Sequence, residues 1–186
     1  MNMAKEIVLN ENTELLELKA INDAINKVQA IIEFNMDGTI ITANDNFLIT
    51  LGYTLEEIQG KHHSLFVEPA YKASREYQDF WEKLNRGEFE SQEYKRLGKG
   101  GKEVWIQASY NPIMDLNGKP FKVVKFASDV TKQKLMNADT SGQIDAISKA
   151  QAVIEFNMDG TIITANDNFL ITLGYTLEEI QGKHHS

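Results

Sequence analysis

Glu33–Ser64 reads EFNMDGTIITANDNFLITLGYTLEEIQGKHHS, and the same letters return at Glu155–Ser186. The match extends upstream: residues 23–64 align with 145–186 without a gap, and only Asn26/Ser148, Val28/Ala150 and Ile31/Val153 differ. The offset of 122 residues is too long for a solenoid repeat and suits a whole domain with its connector. Within the stretch, Ile31–Asn35 and Thr39–Ala43 read as short strands joined at Met36-Asp37-Gly38, and Asp-Gly is a strong hairpin signal. Asn44 or Asp45 then caps a helix over Asn46–Leu51, ended by Gly52. Thr54 with Glu57 makes a capping box for a helix over Leu55–Gln59.

Outward from there, residues 12–29 place Leu15, Leu18, Ile21, Ile25 and Val28 on one stripe of a polar helix, which needs a partner surface. A short irregular helical piece follows around His63–Val67. Ser74–Asn85 reads as a longer amphipathic helix with Tyr77, Phe80, Trp81 and Leu84 on one face. The last third is strand: Phe89–Leu97, Glu103–Ile113 and Pro120–Ser128, separated by glycine turns. Val104, Ile106, Ala108 and Tyr110 alternate with Trp105, Gln107, Ser109 and Asn111. Two strands, several short helices and three long strands predict an α+β domain. It is a five-stranded antiparallel sheet with short helices on one face, flanked by an N-terminal amphipathic helix and a C-terminal connector helix. A small ligand fits naturally between such a sheet and its helices.

Composition narrows the function. The chain has 186 residues, no cysteine and a net charge of −8. Disulfides, zinc–thiolate sites, iron–sulfur clusters and a cysteine nucleophile are excluded. No basic surface points to nucleic acid, and no apolar run approaches the roughly 20 residues of a membrane span. The run Tyr94–Lys102 (YKRLGKGGK) reads as a solvated hairpin tip. No nucleophile elbow, phosphate-cradling loop or metal-ligand helix is present, so an enzyme is not expected. A cytoplasmic location fits best.

DGTIITANDNFLITLGYTLEEIQGKHH resembles the opening of a PAS domain, and ASDVT, with Asp129, Val130 and Thr131, resembles the signature that closes one. The Trp81 helix and GGKEVWIQASYNPI, on the strand read as central, bring the likeness nearest to PAS domains of bacterial chemotaxis transducers, the flavin-binding aerotaxis group among them. The resemblance implies a sensory input module that takes FAD, or less readily haem, or no cofactor. At the positions associated with flavin in that group stand Asn44, His63 and Trp81. Where the group carries a basic cluster, this chain reads Val67-Glu68-Pro69-Ala70. The signal is expected to leave through Asp129 and Thr131 into a coiled coil.

Read from their own chemistry, Trp81 and Trp105 either stack on a planar cofactor or fill the core. Gln107 and Asn111 share a face with Trp105 and offer donors and acceptors if that face looks inward; if Val104 and its companions do, the interior is apolar. His62 and His63 are adjacent and point apart on a helix, so they do not chelate one metal together. The expected organisation is an N-terminal cap and dimerisation helix (1–29), a first PAS domain (30–131), a connector helix (132–150) and the truncated start of a second PAS domain (151–186). The tail is too small to stand alone and is disordered, packed elsewhere, exchanged between chains, or cut from a longer tandem sensor. The main expectation is a signal-input module. The alternative is a ligand-free module that forms a homodimer through Leu15, Leu18, Ile21, Ile25 and Val28. A downstream signalling domain is the expected partner, with no nucleic acid and no insertion into a membrane.

Overall fold

A computed structural model describes residues 3–186, with side chains from Asn12 onward. The chain forms two compact units, Met1–Thr131 and Lys132–Ser186. In the first, helix α1 (Met3–Val28) leads into strands β1 (Ala30–Asn35) and β2 (Ile40–Ala43). Short helices α2 (Asp45–Leu51), α3 (Leu55–Ile58) and α4 (Pro69–Lys72), with a single 3-10 turn at His63–Phe66, precede the longer α5 (Arg75–Asn85). Strands β3 (Glu90–Leu97), β4 (Glu103–Met114) and β5 (Pro120–Asp129) complete it. All neighbours pair antiparallel, in the order β2-β1-β5-β4-β3. The middle of the sheet is therefore β5, not β4, because the last strand returns to lie between the first and the fourth.

The local signals act as their chemistry dictates. Gly38 takes φ +85° in the β1–β2 turn, where a side chain would meet the His62 ring. Asn44 caps α2 by accepting from the Phe47 amide, and Gly52 closes it in the left-handed region. Glu57 accepts from the Thr54 amide at 2.9 Å, and Ser74 caps α5 at Tyr77. The helices cover one sheet face. Ile32, Phe34, Ile40, Val104, Ile106, Tyr110 and Val123 point into that layer and are nearly inaccessible. Each such side chain is worth about 1.5–3 kcal/mol on burial.

The face of β4 is thereby decided. Val104, Ile106, Ala108 and Tyr110 are buried against the helices, while Trp105, Ser109 and Asn111 are half-buried and Gln107 exposed on the opposite face. The run expected to be a solvated tip is also corrected: only Gly98–Lys102 turns, whereas alternation along β3 carries Tyr94 and Arg96 inward to 5% and 3% exposure. The α1 stripe stays uncovered, with Leu15, Leu18, Ile21 and Val28 each at least half exposed.

The second unit repeats the first third of the fold. Helix α6 (Thr131–Ala150) leads into β6 (Ile154–Phe156), β7 (Ile162–Ala165), α7 (Asp167–Leu173) and α8 (Leu177–Ile180). Among the described residues this copy has the short strands β6 and β7 alone, and Phe156 is 42% exposed where Phe34 is 0%, and Leu173 is 54% exposed where Leu51 is 1%. The local structure forms regardless, because its caps and hairpin bonds lie within the copied segment.

Candidate functional site

The layer between sheet and helices is filled by aromatic rings gathered around His63. The 3-10 turn delivers this histidine, fully buried, between α5 and β4. Its Nδ1 lies 2.8 Å from the Tyr77 hydroxyl and its Nε2 2.9 Å from the Tyr110 hydroxyl. Phe34, Phe80, Trp81 and Tyr110 pack round the imidazole with ring centres 5.3–5.9 Å away. Tyr110 is the hub. It touches Phe80 at 4.8 Å and Tyr94 at 5.5 Å, and its hydroxyl accepts from Arg96 Nη2 at 3.3 Å. Lys125 reaches in from β5, with Nζ 4.8 Å from the Tyr110 ring centre and 5.6 Å from that of Phe47.

The interior is electrostatically one-sided. Among the described residues, the buried polar and charged side chains are His63, Arg96 and Lys125. Burial holds His63 well below the usual histidine range, and the Arg96 and Lys125 charges add to it. Burial, then Arg96, pushes Lys125 well below the usual lysine range. Burial raises Tyr77 to about 12.

A prediction follows for His63. Its folded pKa lies below the unfolded value near 6.5, so the unfolded chain takes up the proton first. Stability is full above that pH and falls below it, by up to about 1.4 kcal/mol per pH unit until the folded pKa is passed. Urea midpoints are expected to drop between pH 6.5 and 5, and H63F is expected to flatten that drop. An unchanged slope in the variant would assign it to carboxylates.

The sequence-derived candidates separate into three places. His63 and Trp81 meet in the aromatic cluster. Trp105, Gln107 and Asn111 lie on the outer sheet face and do not line this interior, a correction that follows from the two-residue period of β4 once Tyr110 is inside. Asn111 there donates to Ser109 Oγ and to the Val124 carbonyl. Asn44 sits at the junction with α1. Its carbonyl oxygen accepts from the Ile31 and Phe47 amides, and its amide donates to Gln29 O and Asn26 O. Asn166 repeats this in the second unit, bonding Val153 N, Phe169 N, Ser148 O and Gln151 O. Thr131 forms the other junction: its hydroxyl accepts from Trp105 N at 2.9 Å, Val130 N donates to Trp105 O, and Thr131 N donates to Asp129 Oδ1.

The positions that the resemblance associates with flavin are engaged within the protein: Trp81 and His63 pack with Phe34, Phe80 and Tyr110, and Asn44 bonds the Gln29 and Asn26 carbonyls. His63 has both ring nitrogens engaged, leaving none for an iron. Arg96 and Lys125 carry little signal of burial in the sequence. Arg96 stands within the run of lysines and glycines, and Lys125 within PFKVVKFASD; an inward phase on β3 and β5 was the available signal.

Among known families, a PAS fold matches residues 40–127 and a PAS domain matches residues 151–186. The biofilm dispersion protein BdlA of Pseudomonas aeruginosa is 43% identical over 162 residues, 87% of this chain and 39% of that protein. The aerotaxis receptor of Escherichia coli is 32% identical over 80 residues, 43% of this chain and 16% of the receptor. The chain thus spans well under half the length of either relative. Among solved structures, the PAS domain of a Colwellia psychrerythraea protein superposes with a TM-score of 0.55 at 25% identity, covering 62% of this chain and 98% of that one. A light-oxygen-voltage domain studied with a flavin analogue gives a TM-score of 0.51 at 22% identity, covering 66% and 93%; at that identity the likeness concerns the fold alone. Among the described residues, no helix is long and apolar enough to cross a membrane.

Proposed function

The chain belongs to the PAS domain family, as a sensory PAS domain of the chemotaxis- and aerotaxis-receptor type, and on that premise we propose that residues 30–131 read a small ligand in their interior and pass the result to α6. In this reading residues 1–29 are the incoming helix, 132–150 the connector, and 151–186 the beginning of a second PAS unit. The observation that carries it is the clamp at Thr131. The first residue of α6 is bonded to Trp105 on β4, the strand that also bears Tyr110 at the hub of the buried cluster. A change in hydrogen bonding at Tyr110 shifts β4 against β5, and the clamp carries that shift into the first turn of α6. A ligand moves this equilibrium only by its differential affinity for the two arrangements.

The test is amide hydrogen exchange in α6. Thr131→Val removes the acceptor for Trp105 N, worth about 1 kcal/mol. Exchange of the Trp105 amide and of the second turn of α6 is expected to accelerate about fivefold, with the aromatic cluster still protected. Unchanged exchange would sink the relay.

A second reading concerns assembly. The uncovered stripe Leu15, Leu18, Ile21, Ile25 and Val28 suits a second copy of α1 in a homodimer. Leu18→Glu with Ile25→Glu is expected to halve the mass seen by sedimentation equilibrium; an unchanged mass removes the stripe from the interface.

A further inference from the structure

We infer that the ligand held in this interior is a small monovalent oxyanion, a carboxylate or nitrate, seated between Arg96 and Lys125; its signalling role rests on the sensory reading above, its chemistry does not. The observation is a missing counter-charge. Arg96 and Lys125 are 3% and 0% exposed, no acidic side chain is buried with them among the described residues, and Arg96 Nε and Lys125 Nζ have no hydrogen-bond partner. Burying one such donor unpaired is costly, and burying a cation without an anion costs more. Loss of the Lys125 proton relieves the charge but leaves the amine without an acceptor. An anion supplies both missing elements.

The positions define its size. Arg96 spends Nη1 on the Lys95 carbonyl and Nη2 on the Tyr110 hydroxyl, so Nε is the donor left over. Lys125 Nζ lies over the ring of that same tyrosine. Two unpartnered donors that both lie near Tyr110 call for two acceptor atoms on a compact ion, which a planar oxyanion provides. Access is also present. A groove of about 600 Å³ between the helices and β3 is lined by Phe80, Tyr94 and Arg96 and reaches the Arg96 end of the site, while Lys125 lies behind it. Its other lining residues include Glu76, Asp79 and Glu93, which disfavour multivalent anions and leave monovalent ones less affected.

Thermal melts of the 186-residue chain at constant ionic strength test this, with sodium chloride replaced stepwise by formate, acetate, nitrate or sulfate. One planar monovalent anion is expected to raise Tm with the logarithm of its concentration above its Kd, by about 6 °C at ten times Kd. Sulfate is expected to give only the shallow rise of an excluded salt. The formate and acetate arms against the nitrate arm separate an organic from an inorganic source. Lys125→Met and Arg96→Met are each expected to abolish the rise, and Lys125→Met to melt in chloride no lower than the parent. Titration calorimetry on the unaltered chain gives a reading that does not depend on the variants folding, and one site per chain is expected. No anion-specific rise with any of these anions, as for donors satisfied by water alone, overturns the inference, as does a rise that survives both substitutions. Exchange in α6, measured with the anion, keeps the two readings apart. An anion that binds without altering α6 retains the site and removes the relay. A relay sensitive to Thr131→Val in a chain that binds no anion removes the site alone.

Discussion

Tyr110→Ala is expected to destabilise the first unit by about 5 kcal/mol, while Tyr110→Phe costs about 1–2 kcal/mol. The difference between the two separates the ring from its hydroxyl. The ring is fully buried and packs on Phe34, Phe80, Tyr94 and His63, so truncation opens a cavity that β4 and β5 cannot close without breaking their ladder. Truncation also strands His63 Nε2 and Arg96 Nη2 in the interior. Phenylalanine keeps the packing and loses only the hydroxyl contacts. Because a domain of this size is stable by roughly 5–15 kcal/mol in total, the alanine variant is expected to lie near the limit of folding. Urea denaturation followed by circular dichroism measures both. Equal losses for Phe and Ala would show that the hydroxyl network, not the ring, holds the site together.

Asn44→Ala is expected to cost about 3 kcal/mol, an unusually large effect for a half-buried polar residue. A helix cap alone is worth about 1 kcal/mol. Asn44 is more than a cap: one side chain satisfies the Ile31 and Phe47 amides and the carbonyls of Gln29 and Asn26, so it fastens the end of α1 to both β1 and α2. Removing it leaves those groups to compete for water, at about 1 kcal/mol for each bond to a neutral partner. Asn46→Ala, which loses only donations to Asn26 O and Gln29 O, is expected to cost about 1 kcal/mol. Urea midpoints measure the loss, and amide exchange at the last turn of α1 should rise with Asn44→Ala far more than with Asn46→Ala. Equal effects would reduce Asn44 to a simple cap. Asn166 repeats these bonds in the second unit, fastening the end of α6 to the segment entering β6 and to α7.

The repeat was legible in the letters themselves, and so were the hairpin at Asp37-Gly38, the caps at Asn44 and Thr54 and the stop at Gly52, because each of these local features depends on residues within a few positions of one another. Strand alternation likewise showed which residues of β4 share a face. It did not show which face the helices cover, since Trp105 on one side and Tyr110 on the other are equally suited to burial. That choice depends on contacts from α5 and the 3-10 turn, tens of residues away in sequence. The same long-range packing turned Arg96 and Lys125 inward, placed β5 in the middle of the sheet, and gave Asn44 to the backbone of α1. Local chemistry determined the elements and their order. Only the closing of the sheet under its helices decided which charges would be shut away from water.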